Sequence, residues 1–110
     1  MTLFQAEGGH HHLIKKKVTS ADGVFTVVTA DAYTGLTHIT VHNITTGTEA
    51  LTIAIYDGTT RYYLRNAQAM AAKDRIELDL GYPLDKQDTV EVTVAASGSV
   101  DVFAAVVSAA

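Results

Sequence analysis

The segment from Ala50 to Arg65 reads Ala-Leu-Thr-Ile-Ala-Ile-Tyr-Asp-Gly-Thr-Thr-Arg-Tyr-Tyr-Leu-Arg. Its first half alternates, so that Leu51, Ile53 and Ile55 would point inward while Thr52, Ala54 and Tyr56 point outward. Asp57-Gly58 is a strong hairpin signal because glycine adopts a positive φ without steric cost. Thr59–Arg65 then returns as a second strand. The stretch therefore predicts a β-hairpin.

Alternating segments of the same kind lie on both sides of this hairpin. The further candidate strands are Leu13–Thr19, Val24–Ala30, Leu36–Thr45, Arg75–Leu80, Thr89–Ala95 and a final strand from Val100. In Thr89–Ala95 the alternation places Val90, Val92 and Val94 on one apolar face. Seven or eight short strands separated by polar turns predict an all-β protein, an antiparallel β-sandwich of the jelly-roll or immunoglobulin-like kind. The Ala-rich segment Asn66–Lys73 breaks the pattern, and it would form either a turn or two of helix or a loop that crosses between the sheets.

The composition of the chain limits the classes of protein to which it can belong. The chain has 110 residues, of which 47% are apolar and 18% are charged, which fits one folded domain and excludes disorder. A net charge of −4 gives no reason to expect nucleic-acid binding, and no apolar run approaches the roughly 20 residues that span a bilayer. No signal peptide is recognisable, and the absence of cysteine excludes disulfides. We expect a flexible N-terminal arm at residues 1–12 and a single sandwich domain at residues 13–110.

The final strand departs from the one-sided alternation of the others. Val100, Val102, Ala104 and Val106 fill one face, Phe103, Ala105 and Val107 fill the other, and Asp101 is the single interruption. A strand at the edge of a monomeric sandwich should turn one face to water. The second apolar face should therefore be buried. Either a partner subunit covers it, or the arm or the Ala-rich segment of the same chain does.

Six residues are the predicted interface of a homo-oligomer. They are Val102, Phe103, Val106, Val107, Tyr62 and Tyr63. The tyrosines admit three interpretations, since exposed aromatic rings also stack on sugars and pair across strands. In the first, Tyr56 and Tyr62 are an ordinary cross-strand pair; in the second, the rings anchor a protein interface. In the third, Tyr56, Tyr62 and Tyr63 form one flat patch of a carbohydrate-binding module.

Nothing in the sequence predicts catalysis. There is no Gly-x-Ser-x-Gly elbow, no phosphate-binding glycine loop and no zinc-ligand spacing. Glu77 and Asp79 would share the outward face of one strand, without the apolar pocket that shifts a catalytic carboxyl. We therefore expect no enzyme, no cofactor and no metal site. A metal-dependent binding protein that uses His10–His12 stays as an alternative, although a metal needs converging ligands that an arm does not preorganise.

Three segments carry a resemblance to a known class of protein. They are Ile39–Ile53, Arg75–Leu80 and Asp88–Val102, which together read as a strand, a small-polar turn, a second strand and then an Asp-Thr strand, an Ala-Ser-Gly turn and a closing strand. This pattern resembles small β-sandwich structural proteins from the virions of tailed bacteriophages.

The resemblance implies a role in capsid decoration or stabilisation, in head–tail connection or in a fibre, without catalytic residues. It implies a location in the virion after assembly in the host cytoplasm. The implied partners are copies of the chain and other virion proteins, such as the major capsid protein or neck and tail proteins, with no nucleic acid and no membrane. The arm would lock onto neighbouring subunits.

Overall fold

A computed structural model describes residues 10–30, 34–95 and 98–108 of the chain. These residues form eight strands and one 3₁₀ turn at Ser20–Asp22. The strands are β1 (His10–Thr19), β2 (Phe25–Thr29), β3 (Thr34–Asn43), β4 (Glu49–Tyr56), β5 (Arg61–Met70), β6 (Arg75–Leu84), β7 (Thr89–Val94) and β8 (Ser99–Ser108). The prediction of an all-β chain with seven or eight strands is confirmed.

The strands form two four-stranded antiparallel sheets, in the orders β1-β8-β3-β6 and β2-β7-β4-β5. We call them the first and the second sheet. Each connection between these strands crosses from one sheet to the other, apart from the β4–β5 hairpin around Asp57-Gly58. This arrangement is a jelly roll. The immunoglobulin-like alternative is excluded because it keeps its first two strands together in one sheet.

The core lies between the sheets and is built mainly from the inward positions of their central strands, with Val18 added from the edge strand β1. Branched apolar side chains from both sheets are fully buried: Val18, Leu36, Ile39, Val41, Leu51, Ile53, Val90, Val92, Val100 and Val102. β-branched residues suit these positions because they pack well on a pleated surface. The sequence pattern predicted the inward positions of β4 and β7 correctly.

The Ala-rich segment adopts neither of the structures expected for it. β5 continues to Met70, so most of Asn66–Lys73 is strand, and Met70 is buried in the core. The register with β4 shifts between Leu51 and Ile53, and Ala67 has a φ of 49°, which marks a bulge. Cross-strand pairing with β4 overrides the local preference of alanine for helix.

The predicted arm ends earlier than expected. β1 begins at His10, and His10, His11 and His12 lie opposite Ser108, Val107 and Val106 of β8. Residues 10–12 therefore belong to the first sheet, because the neighbouring strand offers them a full ladder of partners. The rest of the predicted arm, residues 1–9, lies outside the described residues.

Candidate functional site: the outer surface of the first sheet

β8 is a central strand and not an edge strand. It pairs with β1 on one side and with β3 on the other. Its two faces alternate as predicted, and Val102 and Val106 point into the core, where they are 0% and 6% exposed. Their predicted role in a subunit interface is therefore wrong, because the opposite sheet already covers them.

The other face of β8 carries apolar side chains on the outer surface of the first sheet. Phe103 is 37% exposed, and Ala105 and Val107 are half-buried. Leu13 of β1 lies directly opposite Ala105 and is 58% exposed. We call Leu13, Phe103, Ala105 and Val107 the apolar strip. The Ala-rich segment does not cover the strip, since it lies in the second sheet.

Charged residues flank the apolar strip on both sides, with opposite signs. On the β1 side, Lys15 lies opposite Phe103, and Lys17 Nζ contacts Asp101 Oδ1 at 2.6 Å. On the β6 side, Glu77 and Asp79 extend the same rows across the sheet. Arg75 lies on the same face of β6, and its Nε is 3.6 Å from Glu77 Oε2. The outer surface of the first sheet thus runs from a basic edge strand across an apolar centre to a mainly acidic edge strand.

His38 lies between the apolar strip and the acidic side chains of β6. It lies beside Ala105 on β3, and its Nδ1 and Asp79 Oδ1 are 2.5 Å apart. Its Nε2 lies 2.8 Å from Thr40 Oγ1 and 3.9 Å from Glu77 Oε1. Both ring nitrogens are therefore engaged, and the imidazole is held in one orientation against the sheet.

The tyrosines around the hairpin do not share one surface. Tyr62 lies opposite Ile55 and Tyr63 lies opposite Ala54, so these neighbours on β5 point to opposite sides of the second sheet. Tyr56 lies opposite Arg61, whose guanidinium sits 4.4 Å from the centre of the Tyr56 ring. The predicted Tyr56–Tyr62 pair and the predicted flat patch of three rings are both wrong.

Tyr62 and Tyr63 themselves are solvent-accessible, at 59% and 53% exposure. Both lie on β5, at an edge of the second sheet and outside the sheet that carries the apolar strip. Their role in a subunit interface stays a prediction.

Within the part of the chain that the structure describes, no group of three His, Cys, Asp or Glu side chains is placed to hold a metal ion. No helix among the same residues has the length and apolar character to cross a membrane.

The sequence matches no family model and no curated protein. Solved structures show the same fold. A chain from the acidic stable capsid structure of Helicobacter pylori bacteriophage KHP30 has a TM-score of 0.67 at 14% identity, over 91% of this chain and 89% of that one. A pentameric capsid protein from metagenomic phage sequences has a TM-score of 0.52 at 17% identity, over 84% of this chain and 59% of that one.

A chain of the T13 IBDV viral particle is similar at a TM-score of 0.50 and 11% identity, over 91% of this chain and 35% of that one. The chain is thus similar in fold to jelly-roll chains of viral capsids.

Proposed function

We propose that this chain is a non-enzymatic structural subunit of a bacteriophage virion, which serves in capsid decoration or stabilisation or in head–tail connection. The main support for this role is the apolar strip in the middle of the outer surface of the first sheet. The shared fold with two chains described as phage capsid proteins supports it.

The strip favours a protein partner because exposed apolar area is costly in water and its burial drives association. Phe103 sits near the middle of the sheet, with half-buried Ala105 and Val107 further along β8 and polar residues on both flanks. An apolar centre with a polar rim is the usual organisation of a subunit interface, and aromatic residues are enriched in such centres.

The charges on the two flanks favour a second copy of the same chain as that partner. One copy offers Lys15 at the β1 edge, and another can oppose it with Glu77 or Asp79 at its β6 edge. Most soluble homo-oligomers close into symmetric assemblies. The pentameric assembly of the metagenomic phage capsid protein fits the same expectation.

The N-terminal residues extend this proposal to attachment in the virion. Residues 1–9 precede β1 in the sequence, and β1 is an edge strand of the first sheet. We assign them the contact with a neighbouring subunit or with another virion protein, such as the major capsid protein or a neck or tail protein. The subunit would join the virion in the host cytoplasm.

The experiment compares single charges placed on the two sheets. Leu13→Asp and Phe103→Asp each put a carboxylate in the apolar strip, whereas Val24→Asp places one at a similarly exposed site beside the second sheet. Sedimentation velocity measures the oligomer, and circular dichroism checks the fold. We expect both strip variants to dissociate and Val24→Asp to assemble as the wild type does. A folded Leu13→Asp variant with unchanged assembly would overturn the proposal, even if Phe103→Asp failed to fold.

A further inference from the structure

The outer surface of the second sheet contains a depression that the assembly role does not use. Its volume is about 270 Å³. Small side chains of β4 and β7 form the floor, and larger ones rise around it. The lining residues are Val24, Thr52, Ala54, Arg61, Tyr63, Asn66, Glu91 and Thr93. The register between β4 and β5 shifts twice beside this depression, and such irregularities bend and twist a strand locally.

Glu91 is the most unusual group in this depression. It occupies an outward position of β7, in the same row as Ala54 and Tyr63, yet it is 7% exposed. Its Oε1 accepts a hydrogen bond of 2.7 Å from Nε of Arg61, and this bond raises the pKa of Arg61. Arg61 in turn rests on the ring of Tyr56. The opposite charges of Glu91 and Arg61 therefore compensate each other, and the hydrogen bond and the Tyr56 ring hold the two side chains in place.

Unused hydrogen-bonding groups surround this pair. Within the part of the chain that the structure describes, the side chains of Tyr63, Asn66 and Thr93 make no hydrogen bond to protein. The ring of Tyr63 is 53% exposed. The depression thus presents an aromatic surface on one side and hydroxyl, amide, carboxylate and guanidinium groups on the others.

We propose that this depression binds a neutral pyranose sugar. The apolar side of the sugar would stack on Tyr63, and its hydroxyl groups would bond to Asn66, Thr93 and the free positions of Glu91 and Arg61. Small-molecule sites combine apolar walls with a few placed polar groups in this way, and tyrosine offers both a ring and a hydroxyl.

Neutral sugars are favoured over anionic ones by the charges of the site. Arg61 is already bound to Glu91, so the site offers no free positive charge to the carboxylate of an anionic sugar, and that carboxylate would lie close to the like charge of Glu91. The site lies on the opposite sheet from the apolar strip, so a subunit could bind a glycan while assembled.

The test is an NMR titration of the full chain with glucose, galactose, N-acetylglucosamine and sialic acid. We expect amide shifts at Thr52, Thr93 and Asn66 with at least one of the neutral sugars and none with sialic acid. Tyr63→Ala should weaken binding at least about fivefold, because ring stacking is worth about 1 kcal/mol. Tyr63→Phe keeps the ring and should retain most of the affinity.

The control is Tyr82→Ala, which removes an exposed ring from the first sheet and should bind as the wild type does. Asn66→Ala gives a second, milder variant should Tyr63→Ala fold poorly. The proposal is overturned if no neutral sugar shifts these amides at millimolar concentration, or if a folded Tyr63→Ala or Asn66→Ala variant binds with unchanged affinity.

Discussion

Asn43 at the end of β3 donates a hydrogen bond of 3.1 Å from its Nδ2 to the carbonyl oxygen of Met70 at the end of β5, and so ties the two sheets together. The same amide also donates to the carbonyls of Gly47 and Ala71. Its Oδ1 accepts from the backbone amide and the hydroxyl of Thr45. Asn43 is fully buried, and its hydrogen bond to the Met70 carbonyl is shielded from water.

Asn43→Ala should therefore destabilise the fold by about 3 kcal/mol, since it removes five hydrogen bonds at once, one of which is buried. Urea unfolding measures the loss. The matched control is Thr46→Ala, at an exposed position of the same loop, which should stay within about 0.5 kcal/mol of the wild type. A loss below about 1 kcal/mol for Asn43→Ala would show that the amide does not hold the sheets together.

Gly98 is required for a different reason, which is space. A Cβ at Gly98 would lie 2.0 Å from Cγ1 of Val94 and 2.8 Å from the carbonyl oxygen of Ala95. Gly98→Ala should cost about 2 kcal/mol because the neighbouring backbone must move. Gly47→Ala is the comparison, since a Cβ there meets no atom within 4 Å. Equal unfolding midpoints for the two variants would contradict this prediction.

The contribution of Asp57 in the β4–β5 hairpin to the stability of the fold should depend on pH. Its Oδ1 accepts hydrogen bonds from the backbone amides of Thr60 at 2.7 Å and Thr59 at 2.8 Å, and these lower its pKa below the ordinary value of 3.8. A carboxylate with a lowered pKa in the folded state stabilises the fold above its unfolded pKa, and the benefit is lost as the pH falls through the folded value.

Asp57→Asn should accordingly be less stable than the wild type near neutral pH. The difference should shrink as the pH falls below 3.8. Urea unfolding of both proteins across this range measures it. A difference that stays constant with pH would mean that the ionised carboxylate does not stabilise the turn.

The start of β1 can be tested by truncation. Deletion of residues 1–9 should leave the unfolding midpoint nearly unchanged, whereas deletion of residues 1–12 removes the pairs of His10, His11 and His12 with β8. The longer deletion should cost about 1–2 kcal/mol more, because each lost ladder hydrogen bond is worth about 1 kcal/mol. If both truncated chains unfolded at the same urea concentration, β1 would not extend to His10.

The sequence predicted the elements with strong alternation and missed what depends on pairing between distant segments. The periods of β4 and β7 identified their inward residues, since one side of each strand faces the core. Alanine is compatible with helix, loop and strand alike, so the end of β5 could not be recognised without its partner β4. The bulge at Ala67 could not be recognised either, because alanine and not glycine occupies this position of positive φ.

The sequence predicted only part of the candidate surface, because the rest depends on pairing between distant segments. The two apolar sides of β8 were evident from alternation, and Phe103 and Val107 do lie on the outer side of the first sheet. Which side faced the core depended on the order of strands in the sheet, and so Val102 and Val106 were misplaced in the interface. Leu13 joins the strip through its register with Ala105, a long-range pairing that no local pattern encodes.

If the apolar strip joins copies of the chain, the wild-type protein is an oligomer in solution. Light scattering of the wild-type chain at micromolar concentration, coupled to size-exclusion chromatography, measures the mass of that species. We expect the mass of a closed multimer of the 110-residue chain, and a folded monomer for Leu13→Asp under the same conditions. A fully folded wild-type chain that elutes as a monomer would show that the strip does not join copies of the chain.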